Sequence, residues 1–155
     1  PVIVSNDGWQ IAGCPVNGST IAARGQRVAV AWYTAPNRQA KVKLAWSIDG
    51  GRTFATPVLV DEGAVSGRTD VTLLADESAL VTWTGKAADG GGQLRQRRIP
   101  ARGAPGPVQV IAEGDVSRSA GFPQMVKGRD RLVYAWPRPG APSQVLAGWA
   151  PLPNP

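Results

Sequence analysis

Histidine is absent from this chain, and several other reactive residue types are rare. The 155 residues include no His, one Cys, one Met, two Tyr and two Phe. Without His the chain lacks the commonest metal ligand and the usual general base at neutral pH. A zinc site and a Ser-His-Asp triad are therefore excluded, and the single Cys14 excludes an intrachain disulfide. We expect no metal and no other cofactor.

Long apolar runs are also missing. No stretch of about eighteen apolar residues occurs, so we expect no transmembrane helix. Residues 1–5 lack the basic start and long apolar core of a signal peptide, which leaves open a removed leader or a fragment of a longer chain. The 19 Gly and 14 Pro leave little room for long helices. This composition is typical of many short strands joined by tight turns.

The charge is moderately basic, with 17 Lys and Arg against 11 Asp and Glu. A net charge of +6 suits nucleic acid, anionic membranes or acidic glycans as partners. Except in residues 95–98, the basic side chains are spread along the chain. They are not interleaved with aromatic residues, as single-strand binders require. We therefore predict no nucleic-acid partner and retain an acidic ligand.

Residues 47–54 have the composition of a β-hairpin turn. Residues 41–46 before them alternate polar and apolar side chains, and residues 57–60 after them are apolar. The Asp49-Gly50-Gly51 tripeptide supplies the positive φ angles that a tight turn needs. The Asp49 carboxylate can accept hydrogen bonds from backbone N–H groups a few residues on. We predict that Phe54 folds beneath the turn.

This turn resembles the Asp-box, or BNR repeat, of the sialidase-like β-propellers. That motif is Ser-x-Asp-x-Gly-x-Thr followed by Trp or Phe, and its fixed positions are matched by Ser47, Asp49, Gly51, Thr53 and Phe54. In the family the box lies on the outer part of a blade, away from the central site. The resemblance therefore implies a structural role for Asp49.

One strand pattern recurs about every fifty residues. It ends at Trp32, Trp83 and Trp136, and each copy has a shorter strand before it and another strand after it. We expect these tryptophans to pack between sheets. The repeats span approximately 17–63, 67–114 and 121–150. The third lacks its fourth strand, but residues 1–5 resemble residues 57–61 and could supply it.

The repeat predicts an all-β propeller made of three four-stranded blades. Propellers typically have about four to eight blades. The chain is therefore either half of a longer six-bladed protein or one of two copies that form a six-bladed ring. We favour the homodimer, in which the N-terminal strand closes the last blade of its own or the partner protomer.

The segments that enter each inner strand contain the candidate ligand-binding residues, because loops at one end of a propeller meet around its axis. Arg68 and Arg118 fall in comparable segments, with Trp9 and Gln124 nearby. In sialidases an arginine cluster grips the substrate carboxylate, and the resemblance suggests that role for both arginines. The alternative is that each arginine pairs with a loop carboxylate such as Asp70 or Asp115.

Catalytic groups are fewer than a sialidase requires. The family uses a Tyr nucleophile with a Glu, but Tyr33 and Tyr134 both lie beside the repeated tryptophans. Asp70 is the best candidate acid, and glycoside hydrolysis generally needs two.

Three functions follow as hypotheses. The first is a non-catalytic propeller, exported from a bacterial cell, that binds an anionic, glycan or protein ligand at its axial face. The second is a divergent exo-sialidase or other glycoside hydrolase, and the third is a purely structural self-assembling module.

Overall fold

A computed structural model describes residues 1–11, 16–117 and 121–153. These residues form eleven β-strands and one short 3-10 turn, Pro36–Arg38. No helix among them is long and apolar enough to cross a membrane. The strands are β1 Thr20–Arg24, β2 Arg27–Thr34, β3 Lys41–Ser47, β4 Val58–Glu62, β5 Val65–Leu73, β6 Ala79–Lys86, β7 Gly92–Ile99, β8 Val108–Gly114, β9 Gln124–Lys127, β10 Arg131–Arg138 and β11 Gln144–Pro151.

The described strands form three antiparallel sheets that follow the order of the chain. Sheet 1 has the order β1-β2-β3-β4, sheet 2 the order β5-β6-β7-β8 and sheet 3 the order β9-β10-β11. Each sheet is a meander, in which every strand pairs with the next strand along the chain. The all-β prediction is confirmed.

Sheet 2 lies between the other two, and both faces of its second strand are buried. Trp83 and Val81 of β6 pack into a core shared with sheet 1. Leu80, which lies between Ala79 and Val81 in the sequence and faces the other side of the strand, packs into a second core with sheet 3. Seven of the eight residues of β6 are buried. The face towards sheet 3 also includes the buried Thr82 and Thr84, and the Thr84 hydroxyl donates to the Gly67 carbonyl at 3.0 Å.

The first core joins sheets 1 and 2 and is the larger of the two. It contains alanine, valine, leucine and tryptophan side chains on β2, β3, β5 and β6. The second core, between sheets 2 and 3, is built from Leu80, Met125, Leu132 and Tyr134. Sheets packed face to face in this manner bury one face of each outer sheet and leave its other face free.

The three repeated tryptophans have different degrees of burial. Trp83 is fully buried between sheets 1 and 2, and its Nε1 donates a hydrogen bond to Asp61 Oδ2 at 3.0 Å. Trp136 is half-buried and packs against the second core. Trp32 is also half-buried, and it follows Ala31, which belongs to the first core. Trp32 therefore points away from sheet 2, since neighbouring residues of a strand face opposite sides.

Within one chain, the N-terminal segment does not complete the third sheet as predicted. Residues 1–5 are not in a strand, and sheet 3 has three strands among the described residues. Instead, Ile3, Val4 and Ser5 line a small cavity with Val30 and Trp32 of sheet 1. The reason is the linear order of the sheets, because sheet 2 separates this side of sheet 1 from β11.

Raising the pH from 10 to 12 is expected to destabilise the protein through Tyr134. Its hydroxyl donates to Gln96 Oε1 at 2.6 Å, and burial raises the pKa of Tyr134 from 10.0 to about 12. The unfolded chain therefore releases this proton at a lower pH than the folded protein. We expect the free energy of unfolding to fall by about 2 kcal/mol across this range. Urea denaturation of wild type and Tyr134→Phe would measure it; parallel pH profiles would contradict the prediction.

Candidate functional site

The meander topology separates the chain's turns into two groups. The turns β1–β2, β3–β4, β5–β6 and β7–β8 lie at one end of the sheets, which we call the hairpin end. The chain enters β1, β5 and β9 at the opposite end, which we call the loop end. These three first strands are neighbours, because β5 contacts both β1 and β9. Residues at the start of each first strand therefore come together at the loop end.

The backbone at Arg68 has an unusual conformation. Arg68 lies in β5 within a bulge, where the register with β6 shifts between Gly67 and Asp70. Its φ angle is 53°, and that of Gly67 is 96°. A positive φ is costly for a residue with a long side chain and is found where the surrounding structure enforces it. Bulges of this kind redirect a side chain and often occur near functional sites.

Asn17, which precedes β1, holds this bulge in place. Its Oδ1 accepts a hydrogen bond from the Arg68 backbone N–H at 3.0 Å. Its Nδ2 donates to the Ser66 carbonyl at 3.2 Å. The amide lies so close to Gly67 that a Cβ there would meet Asn17 Oδ1 at 2.3 Å. Asn17 therefore joins the entry of sheet 1 to the bulge in sheet 2.

The Arg68 side chain is nine-tenths buried but only partly hydrogen-bonded, with 9% of the residue exposed. Its Nη2 donates to the Ser117 carbonyl, and the guanidinium lies 5.9 Å from the centroid of the Phe122 ring. Nη1 is buried and has no hydrogen-bond partner within the described part of the chain. Burial lowers the pKa of Arg68, and the negative charge of Asp115 opposes that shift. Four other buried side-chain polar atoms also lack a partner within the described residues, but of the two arginines among them Arg27 has an ion pair with Glu77 and Arg68 has none, so Arg68 calls for an explanation.

Asp70, the candidate acid, lies two residues further along β5 and links two first strands. Its Oδ1 accepts from the Val71 N–H at 2.8 Å, and its Oδ2 accepts from the Met125 N–H at 2.7 Å. Burial raises the pKa of Asp70, while these two hydrogen bonds lower it. The alternative of an Arg68–Asp70 pair is not observed among the described ion pairs, because this carboxylate faces β9.

The strand registers show which site residues are equivalent. Asp70 pairs with Thr82 and Gln124 pairs with Ala135, and both partners directly precede a repeated tryptophan. Asp70 and Gln124 therefore occupy the same position in successive repeats. Counting back two residues places Phe122, and not Arg118, at the position of Arg68. The prediction for Arg118 lies outside the described residues, as does any role of Cys14.

The other two predicted ligand-binding residues differ in location. Gln124 is exposed at the start of β9, and its Nε2 donates to the Pro123 carbonyl at 3.1 Å. Trp9 lies beside sheet 1, where its ring meets Tyr33 edge-on with centroids 5.5 Å apart. The structure thus brings Arg68, Asp70 and Gln124 to neighbouring strands, whereas the aromatic contact of Trp9 is with sheet 1.

Sequence reasoning missed Asn17 and Phe122 as residues that position Arg68. Neither belongs to a motif, and both reach Arg68 from other sheets or their entry segments. The glycine before Arg68 was the one available signal, since Gly67 allows the close approach of Asn17.

The hairpin at residues 47–54 forms a closed hydrogen-bond network at the opposite, hairpin end. Asp49 Oδ1 accepts from the backbone N–H groups of Arg52 and Thr53, each at 2.9 Å, and Oδ2 accepts from Thr53 Oγ1 at 2.6 Å. Ser47 Oγ donates to Asp49 at 2.7 Å and accepts from Gly51 N–H at 2.9 Å. The bond from the Thr53 hydroxyl is the main reason that the pKa of Asp49 is well below its usual range. All of these groups are engaged in holding the turn.

The evidence for the candidate site is its geometry alone, because comparison with known proteins identified no family for this chain. No protein-family model matches the chain, and no curated protein matches it.

Proposed function

We propose that this chain is a non-catalytic, sialidase-like Asp-box propeller module that binds an anionic ligand at the loop end through Arg68. The observation that carries the proposal is the buried Arg68 guanidinium, which has an unpartnered Nη1 and sits on a strained backbone. The ligand class is a carboxylate-bearing glycan or an acidic group of a protein. We further propose a bacterial protein that acts outside the cytoplasm.

The arrangement of the sheets supports the propeller interpretation. Three meander sheets pack face to face in chain order, and their first strands are neighbours. The hairpin that resembles an Asp-box lies at the end opposite to Arg68. Loops that converge on one end of a rigid scaffold are where such folds carry binding sites.

The chemistry of Arg68 favours a carboxylate. A guanidinium presents its donors in a planar fork that matches the two oxygens of a carboxylate. Within the described residues Arg68 has no ion pair, and its one side-chain hydrogen bond is to a backbone carbonyl. A ligand carboxylate would supply the acceptor that Nη1 lacks and would neutralise the buried charge. The strained backbone is then explained as the means of aiming Arg68.

A glycoside hydrolase is the second candidate. The raised pKa of Asp70 favours it, because a general acid must hold its proton near neutral pH. Both oxygens of Asp70 are already engaged by backbone N–H groups, and a second acid at a suitable separation is required. These points favour binding over catalysis. The third candidate, a purely structural module, leaves the unpartnered Nη1 unexplained.

Binding of sialic acid, measured by isothermal titration calorimetry, tests the proposal. We expect wild type to bind and Arg68→Gln to bind at least about ten-fold more weakly, since one charge-assisted contact is worth about 1.4 kcal/mol or more. Arg102→Gln, which removes an exposed arginine at the hairpin end, is the matched control and should bind as wild type. Equal affinity of wild type and Arg68→Gln would contradict the proposal, provided that both variants show the wild-type circular dichroism spectrum.

A fluorogenic sialoside assay separates the two candidates. The binding proposal expects no turnover. Turnover that Asp70→Asn abolishes would instead establish the hydrolase.

A further inference from the structure

Sheet 3 has an apolar face on the side away from sheet 2, and its described side chains are exposed or half-buried. Its strand pairs Val133–Trp149, Ala135–Ala147 and Pro137–Val145 share one face, because they alternate with residues of the second core. Val145 is 78% exposed and Trp149 is 68% exposed. Contiguous apolar surface of this kind marks an interaction site. We call these residues the sheet 3 outer face.

The equivalent face of sheet 1 is buried against sheet 2. In the register of β2 with β3, the equivalent pairs are Ala29–Trp46, Ala31–Leu44 and Tyr33–Val42. Each β2 residue is as many positions from Trp32 as its β10 counterpart is from Trp136. Five of these six residues belong to the first core, and Tyr33 packs against it. The sheet 3 outer face therefore repeats, position by position, a face that is built to receive another sheet.

A charged residue extends this equivalence. Arg27, the first residue of β2, lies 5.7 Å from the centroid of the Trp46 ring. Arg131, the first residue of β10, lies 5.2 Å from the centroid of the Trp149 ring. The two arginine–tryptophan pairs occupy the same repeat position. One is covered by sheet 2, and the other is open.

Sheet 1 carries the complementary face on its other side. In sheet 2, the face that meets sheet 1 includes Val71 and Trp83. The strand registers place Ile21 and Trp32 at the same positions in sheet 1. Ile21 is 67% exposed, and Trp32 is half-buried. Val28 and Val30 share this face and are already buried within the chain. We call its open part, Ile21, Ala23 and the exposed portion of Trp32, the sheet 1 outer face.

We infer that the sheet 3 outer face of one chain docks on the sheet 1 outer face of a second copy. In the first core, the equivalents of these two faces pack against each other within the chain. Because each chain also has both faces on its outer sides, two copies can pack in the same way. Two such contacts, related by a two-fold axis, close the pair as an isologous dimer. The inference rests on the proposed propeller arrangement and names the partner; it does not involve Arg68.

The N-terminal segment agrees with this docking. Val4 and Ser5 lie beside Trp32, as Asp61 of β4 lies beside Trp83. Residues 1–5 therefore occupy the same position relative to sheet 1 that β4 occupies relative to sheet 2. Docking would bring them alongside β11 of the second copy, whose outer edge has no paired strand among the described residues. A covered edge removes a template for aggregation.

Mass in solution, measured by light scattering, tests the inference with two variants and a control. We expect twice the chain mass for wild type, and the single chain mass for Trp149→Lys and for Ile21→Lys, since each places a charge in the interface. Ile48→Lys changes an equally exposed residue at the hairpin end, where Ile48 is 72% exposed, and should stay dimeric.

Mixing the two monomeric variants gives the sharpest outcome. A mixed pair retains one intact contact, between the sheet 3 face of Ile21→Lys and the sheet 1 face of Trp149→Lys. We therefore expect dimers in the mixture and in neither variant alone. A monomeric wild type, or no dimer on mixing variants that have native circular dichroism spectra, overturns the inference. If a monomeric wild type still bound sialic acid through Arg68, the proposed anion site would be supported although the proposed dimer had failed.

Discussion

Replacing Trp83 with alanine is expected to lower the free energy of unfolding by about 3–5 kcal/mol. The side chain is fully buried in the first core, and its Nε1 donates to Asp61 of the neighbouring sheet. Alanine would leave a cavity between sheets 1 and 2 and would remove one hydrogen bond from Asp61 Oδ2, which keeps its ion pair with Arg95 at 3.5 Å. A loss of this size is a large fraction of the stability of an ordinary domain, about 5–15 kcal/mol. Urea denaturation monitored by circular dichroism would measure it.

Trp83→Phe separates the two contributions. Phenylalanine keeps most of the apolar contact and loses only the hydrogen bond and part of the volume, so we expect about 1–2 kcal/mol. The difference between the variants is then the cost of the cavity. A Trp83→Ala protein that loses less than about 1 kcal/mol would show that this core does not join the sheets.

Replacing Gly67 with alanine is expected to cost about 2–3 kcal/mol, for two separable reasons. The φ angle of 96° is unfavourable for any residue with a Cβ. In addition, the new Cβ would lie 2.3 Å from Asn17 Oδ1 and 2.7 Å from its Nδ2. Asn17 would have to move and would lose its hydrogen bonds to Arg68 and Ser66. We also expect weaker anion binding, since the bulge positions Arg68.

Gly90→Ala is the matched control for this prediction. Gly90 has a φ angle of 88°, but a Cβ there would have nothing within 4 Å. It should therefore cost only the backbone term, about 1 kcal/mol. In the background Asn17→Ala, Gly67→Ala should cost no more than Gly90→Ala, because the clash is gone. An undiminished cost there would contradict the role given to Asn17.

The hairpin and the strands were predictable because their causes are local. Alternation in residues 41–46 predicts a strand, and β3 spans Lys41–Ser47. Asp49 bonds groups no more than four residues away, so its network can be derived from the order of side chains alone. The spacing of the repeated tryptophans similarly predicts equivalent strands.

The candidate site was only partly predictable because it is made by distant segments. Arg68 and Asp70 are identifiable as polar residues that enter an inner strand. Their different roles come from elsewhere: Asn17 is 51 positions away from Arg68, and Met125 is 55 positions away from Asp70. No periodicity encodes which carbonyl or N–H group will stand opposite a side chain after three sheets have packed.

The amino-acid order alone determined the all-β class, the three repeats and the hairpin, because strand alternation, glycine-rich turns and short-range hydrogen bonds act over a few residues. The tertiary structure decided that Asp70 joins two sheets, that Arg68 is buried with a donor unpaired, and that residues 1–5 lie beside sheet 1. These outcomes depend on which faces the packed sheets cover, and burial is a property of the assembled molecule.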